Sequence, residues 1–326
     1  MIVILSYPGD DNTNKVIEWL KYYKVQYRRI HLKEENYQKI EISFIENKLN
    51  CCLKLADNSL LDFKDISFFV YRGGGFKINQ LLNDTVLDNE IFENYIEKDL
   101  ISLVNYFYSE INKKSIGYCY LHDLNKLSQL KTAIAVGLDV PSFILTNEKS
   151  SFNLKFKNSN TITKAIQENI AIDSNNNFFL QRVQKVDQND LEDEFFSSFF
   201  QEEIEKEYEL RIFYLDGKFY SIALISNNET IDMRDNYHKI LYEPYTLPKY
   251  IEEKICAFMN KMELISGSID MLKSTSGKYY FLEVNPEGQY DWVSVYGGYN
   301  LHHEIVKFLI KKENEYFKKK SIPDLF

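Results

Sequence analysis

The chain has 326 residues, 44% hydrophobic and 27% charged, with 24 Tyr, 23 Phe and a formal net charge of −9. That is core material for two or three domains, and the acidic balance argues against a nonspecific nucleic-acid binder, although a local basic cleft would not show in a net charge. Cys51, Cys52, Cys119 and Cys256 show no CxxC or other metal-like spacing, so they read as reduced thiols.

The opening "MIVILSYPGDD" lacks a basic leader and has too short an apolar run for a signal peptide, so it reads as a first strand. With no run of membrane-spanning length, the expected location is the cytoplasm. "NTNKVIEWLKYYK" carries Val16, Ile17, Trp19, Leu20 and Tyr23 at helical spacing, and "VQYRRIHL" returns as a strand. This β-α-β start predicts a small α/β domain. Residues 39–74 read as strand, hairpin and strand. The run Gly73–Gly75 reads as a plain loop, since no GK[ST] follows and no GxGxxG is present. A long helix is expected from about Asp88 to Ile111.

A second unit begins at "HDLNKLSQLKTAIAVGLDVP", with Asp123 as helix N-cap, Gly137 as its stop and Pro141 opening an extended segment. "TITKAIQ", "FFLQRVQKV" and "SSFFQEEIE" read as strands of a second sheet. "YELRIFYLDGKFYSIALIS" is a hairpin turning at Asp216-Gly217. Helices are expected over 248–262 and 299–318, with the hairpin "SGSIDMLKSTSGKYYFLEVN" between them. The acidic tract at 191–210 reads as a solvated face, and His302-His303 as packing or surface.

The chemistry concentrates in that last hairpin. Glu283 and Asn285 sit at i and i+2 of an apolar strand, hence on one face, and a buried carboxylate needs a partner. A four-residue turn over 274–277 pairs Asp270 with Phe281 and makes Glu283 its diagonal neighbour, roughly 7–8 Å away between backbones. A five-residue turn puts Asp270 on the opposite face. Two carboxylates and an amide are hard oxygen donors of the kind that hold Mg²⁺, which keeps waters and is completed by phosphates. No His or Cys is near to favour zinc. An exposed polar strand end is the alternative.

Asp270, then Glu283-x-Asn285-Pro286 about a dozen residues on, resembles the magnesium motif of ATP-grasp ligases. The resemblance covers the chain from about residue 120. It implies Lys126 and Lys164 as the nucleotide lysines, although Ala165 stands where proline is usual. It implies Gln201, Glu202, Glu203 and Ile204 as the adenine hinge, Glu209 for the ribose and Arg211 for the reacting phosphate. "IDMRDN" resembles an Asp-x-Arg-x-Asn segment, implying Arg234 near the phosphates and Asn236 beside it. With "MIVILSYPGDD", "VYRGG" and "FLEVNPEGQY" the whole chain is similar to graspetide-forming (microviridin-type) enzymes, most of all the grasp-with-spasm peptide maturases. Asp291-Trp292 and "GGYNLHH" at 297–303 depart from their pattern.

The resemblance implies an α/β ATP-grasp fold with an N-terminal α/β domain (1–118), a central subdomain (119–204) and a C-terminal subdomain with the magnesium site (205–326). It implies an ATP- and Mg²⁺-dependent macrocyclase joining Asp or Glu side chains of a ribosomal precursor peptide (leader plus core) to Ser/Thr hydroxyls or Lys amines. It carries a possible homodimer, and no nucleic-acid or membrane partner is expected. Two alternatives stand beside it: an ATP-grasp carboxylate–amine ligase for a protein tail or small molecule, and a non-enzymatic peptide-binding homologue.

Overall fold

The computed structural model describes residues 1–31, 37–45, 48–55, 57–73, 90–119, 124–157, 159–166, 170–172, 178–180, 183–226 and 240–320. Strand β1 (Ile2–Ser6), helix α1 (Asp11–Tyr22) and strand β2 (Tyr27–Ile30) form the expected β-α-β unit, with β1 and β2 parallel. A hairpin, β3 (Tyr37–Ile45) and β4 (Lys48–Leu55), joins β5 (Leu60–Asp62) in a separate three-stranded sheet. Then β6 (Phe68–Arg72), α2 (Glu90–Asn112) and β7 (Ser115–Ile116) complete a parallel sheet of order β2-β1-β6-β7. Its continuous apolar run follows from burial on both faces. Ile2, Ile4, Phe68 and Val70 pack with α1 residues such as Leu20, while Val3, Leu5, Phe69 and Tyr71 pack with Phe107 and Ile111 of α2.

The central part runs α3 (Lys126–Ala135), β8 (Phe143–Glu148), α4 (Lys149–Phe156), β9 (Thr161–Thr163), the paired β10 (Ile170–Ile172) and β11 (Phe178–Leu180), β12 (Gln184–Lys185) and β13 (Glu194–Glu202). The sheet order is β12-β9-β13-β8. The cap of α3 is Asn125, whose Oδ1 accepts from Ser128 N at 2.8 Å; Asp123, expected there, lies outside the described residues. Gly137, at φ +81, follows the helix end as expected.

The last part runs β14 (Lys206–Leu215), β15 (Lys218–Ser226), β16 (Ile240–Tyr245), α5 (Lys249–Lys261), β17 (Ser266–Ser274), β18 (Tyr279–Asn285), α6 (Asp291–Tyr296) and α7 (Leu301–Lys320). The antiparallel order is β16-β15-β14-β17-β18. Asp216 (φ +47) and Gly217 (φ +85) make the tight turn between β14 and β15. One face, with Leu210, Ile212, Ile269, Met271, Phe281 and Val284, packs on α3 and α5. Phe213, Leu215, Ile222 and Leu224 of the other face pack with Tyr290, Val293, Leu301 and Ile305, and share a core with the N-terminal sheet. Most of the expected strands and the long helices are present, but "FFLQRVQKV", expected as one strand of the second sheet, holds β11, paired with β10 in a sheet of its own, and β12, at the edge of the four-stranded sheet; β7, α4, β10, β16 and α6 were not foreseen. Among the described residues no helix is long and apolar enough to cross a membrane.

The two histidines near the start of α7 are packing residues. His303 stacks on Trp19, 4.2 Å between ring centroids. His302 is buried, with Nε2 2.9 Å from Asn12 Oδ1. Burial, aided by the Lys15 and Arg72 charges, pushes its pKa down to about 4 from 6.5. The unfolded chain therefore binds a proton that the folded chain refuses between about pH 6.5 and 4. Stability should be intact above 6.5 and fall as pH drops towards 4, by up to about 3 kcal/mol from this group. Urea melts across that range should show the loss, and His302→Gln should flatten it; an unchanged slope in that variant would assign the loss to other groups.

Candidate functional site

The register between β17 and β18 decides where the carboxylates lie. Lys273 pairs with Tyr279, so the connection is one residue longer than expected, and Met271 pairs with Phe281. A bulge then follows, and Asp270 pairs with Glu283, Ile269 with Val284, and Ser268 with Asn285. The longer turn alone would have turned Asp270 away from Glu283; the extra residue Leu282 brings it back. The expected diagonal neighbours thus become directly opposed. Because Arg211 is the partner of Asp270 on β14, Arg211, Asp270 and Glu283 form a row across three strands, on the face opposite Met271, Phe281 and Val284.

Ion pairs tie this row together. Arg211 Nη1 lies 2.6 Å from Asp270 Oδ2, and Nη2 lies 3.4 Å from Glu209 Oε2. Glu209 is buried and also meets Lys206 Nζ at 2.6 Å. Lys126, only 7% exposed, places Nζ 3.0 Å from Glu283 Oε2 and donates to Ala165 O at 3.4 Å. Burial pushes the Asp270 carboxyl up to about 6, against the pull of Arg211. Burial works the same way on Glu283, but the Lys126 ammonium, with Lys164 and Arg211 further off, holds it below its ordinary value. The two acids, side by side, are therefore driven apart in acidity, burial prevailing at Asp270 and the cations at Glu283.

Lys126 reaches Glu283 because α3 is docked on β18 by Gln129, one turn further on. Val284 N donates to Gln129 Oε1 at 2.8 Å, and Gln129 Nε2 donates to Val284 O at 3.2 Å. Gln129 was not foreseen as a site residue. Its only sequence signal is an amide at i+3 from the lysine, on the buried stripe of an otherwise unremarkable helix.

The four-stranded sheet supplies the opposite wall. Lys164 follows β9 directly, with Nζ 5.9 Å from the Phe199 ring centroid. Gln201 shares that face by alternation and is 1% exposed, and its Nε2 has no partner among the described residues. Glu203 bonds Lys185 at 3.0 Å through Oε1, while Oε2 is buried without a partner among the described residues. The backbone donors of Glu202 and Glu203 are taken by Ser142 O (2.8 Å) and Asn160 O (2.9 Å). These side-chain atoms of Gln201 and Glu203 are polar groups that the strand end keeps open to a ligand, with Ile204 just past it. Such unsatisfied buried groups are costly unless something pairs with them. Arg234 and Asn236 lie outside the described residues.

The donor set fits a hydrated divalent ion. Among the described residues no cluster of three or more His, Cys, Asp or Glu side chains forms. The set is two carboxylates and the exposed Asn285 amide, whose Oδ1 accepts from Glu287 N at 3.1 Å and keeps a second lone pair. Ser268 Oγ, opposite Asn285 on the same face, is buried without a partner among the described residues, as a group bonded to an ion's water would be.

The overall fold has parallels in solved structures. The chain superposes on a Chryseobacterium gregarium RiPP-associated ATP-grasp ligase in complex with ADP and a leader and core peptide, with TM-score 0.75 and 23% identity, covering 95% of this chain and 96% of that one. The chain has the ATP-grasp fold. The macrocyclase MdnC of Microcystis aeruginosa, bound with precursor peptide MdnA, shares this fold (TM-score 0.72, 21% identity, 95% and 99% covered). So does the ATP-grasp ligase PsnB, complexed with a phosphomimetic variant of minimal precursor, Mg and ADP (0.70, 14%, 95% and 98%). No protein-family model matches the chain, and no curated protein does.

Proposed function

We propose that this chain is an ATP- and Mg²⁺-dependent peptide macrocyclase. It would activate Asp or Glu side chains of a ribosomal precursor peptide and join them to Ser/Thr hydroxyls or Lys amines. The observation that carries the reading is the Arg211–Asp270–Glu283 row, linked by Lys126 to the wall that holds Lys164, Gln201 and Glu203. Similarity over 95% of the chain to a ligase solved with a leader and core peptide and to a macrocyclase bound with a precursor peptide supports the peptide as substrate. ATP would supply the phosphoryl group that makes a carboxyl electrophilic, and Mg²⁺ the charge that offsets its oxygens.

The chain's own residues would then bind and orient. Asp270, Glu283 and Asn285 would hold the ion, and Lys126 and Lys164 the phosphates. Gln201, Glu202, Glu203 and Ile204 would hold the base and Glu209 the ribose. Arg211 would face the charge developing at the acyl carbon's phosphate, with Arg234 and Asn236 placed nearby by resemblance. The division at 118 and 204 and a homodimer belong to the same proposal.

The test uses the short Thr-, Asp-, Glu- and Lys-rich peptide expected to be encoded beside this gene. With the enzyme, ATP and Mg²⁺, its mass should fall by one water per ring. Each ring loses one carboxyl oxygen, which leaves on phosphate, and two protons, one from the carboxyl and one from the hydroxyl or amine. Mild base should restore the mass for esters and not for amides. With free amino acids added to the mixture, a mass gain equal to one amino acid less one water would instead establish the carboxylate–amine ligase. Tight binding with no mass change would establish a binding protein.

A further inference from the structure

"VYRGG" ends β6 of the N-terminal sheet, and its Arg72 points across to the C-terminal sheet. The Arg72 Nη1 donates to two successive carbonyls, Glu287 O and Gly288 O, both at 2.6 Å. The Nε lies 3.5 Å from Asp10 Oδ2, and the guanidinium stacks over the Tyr290 ring, 5.6 Å from its centroid. Asp10 is anchored in turn, since its Oδ2 accepts from Thr13 N at 3.2 Å at the start of α1. The arginine side chain is 14% exposed and Asp10 8%.

The gripped residues are those that aim Asn285. Glu287 N donates to Asn285 Oδ1 at 3.1 Å, and Gly288 N donates to Asn285 O at 3.1 Å. Gly288 takes φ +66, and a Cβ there would lie 3.3 Å from Phe213 Cε2, so the turn fits closely against the sheet at this glycine. Two consecutive carbonyls converging on one guanidinium nitrogen repel each other unless a cation sits between them. The orientation of the 287–288 peptide, and through it of the Asn285 side chain, therefore depends on a charge from the N-terminal sheet.

We propose that Arg72 is a positioning residue for the divalent ion, fixing the Asn285 amide oxygen against Asp270 and Glu283. The proposal rests on the reading of Asp270, Glu283 and Asn285 as the ion's holders. Groups that orient a metal ligand change metal affinity by about 10- to 100-fold.

The experiment measures ATP affinity by calorimetry in EDTA and in Mg²⁺, for wild type and for Arg72→Met, →Gln and →Lys, with thermal melts of each. In Arg72→Met the gain in ATP affinity on adding Mg²⁺ should shrink by about 10-fold or more, while affinity in EDTA stays within about twofold. Arg72→Lys, whose ammonium has donors for both carbonyls, should keep most of the gain, and Arg72→Gln should fall between them. If Arg72→Met melts lower yet keeps the full Mg²⁺ gain, or loses affinity equally in EDTA and Mg²⁺, Arg72 merely glues the two sheets and the proposal fails alone. Should Arg72→Met not fold, a full Mg²⁺ gain in a folded Arg72→Gln overturns it equally. A wild type with no Mg²⁺-dependent gain overturns the reading of the site, and this proposal with it.

Discussion

Asp270→Asn is expected to lose at least about 100-fold in ATP- and Mg²⁺-dependent turnover, near 2.7 kcal/mol of barrier, with little change in melting temperature. The asymmetry follows from the surroundings. Asp270 stands between Arg211 and Glu283 in the strand row, and burial pushes its carboxyl up to about 6. An acid raised from 3.8 in the folded chain binds its proton more tightly there than when unfolded. Stability from this group is therefore greatest below about pH 4 and declines as pH rises through 6. At neutral pH the ionised side chain is a burden on the fold, and asparagine removes it at constant size. Arg211 loses one partner but keeps Glu209 at 3.4 Å, so the two changes oppose each other. An ADP-release assay alongside a thermal melt reads both quantities. Near-wild-type turnover at saturating Mg²⁺ would remove Asp270 from the site.

Lys126→Met should reverse the pattern, losing stability and nucleotide affinity together. The lysine is buried, and its ammonium joins Glu283 to the carbonyl of Ala165. Deleting one member of such a pair costs about 3 kcal/mol, because the other charge is left uncompensated. Adding Glu283→Gln removes that stranded charge, so the double variant should melt close to wild type. ATP affinity should stay low in both, since the cation for the phosphates is absent in both. The comparison is a double-mutant cycle in which stability couples and binding does not. Calorimetry showing Lys126→Met within about twofold of wild type would detach this lysine from the nucleotide.

Much of this was legible before the structure. The parallel N-terminal sheet followed from "MIVILS" and the helix spacing behind it, because burial on both faces leaves a continuous apolar run. The hairpin at Asp216-Gly217 followed from turn chemistry. Asp270, Glu283 and Lys126 were named and do converge. The reasoning behind the first two was incomplete, since the turn is longer than expected and the bulge at Leu282 compensates for it. Alternation did carry a sign of that bulge. Phe281 and Val284 are both core residues three positions apart, which a regular strand cannot bury on one face. The parts that stayed hidden, Gln129 on Val284 and Arg72 on the Glu287 and Gly288 carbonyls, are side-chain-to-backbone bonds between segments more than 150 residues apart. Nothing in the local pattern records such a bond, because its acceptor has no side-chain identity.

The same bulge sets which length changes β18 can absorb. In an ordinary strand, losing one residue inverts every side chain beyond the gap. Here the chain without Leu282 would read Phe281, Glu283, Val284, Asn285 in plain alternation against Met271, Asp270, Ile269, Ser268, the faces they already occupy. A deletion at that single position is thus phase-neutral, whereas one at Val284 would send Asn285 into the core. For a lineage drifting through small insertions and deletions, Leu282 is a spare link: the segment can shorten there without losing the convergence of its acids.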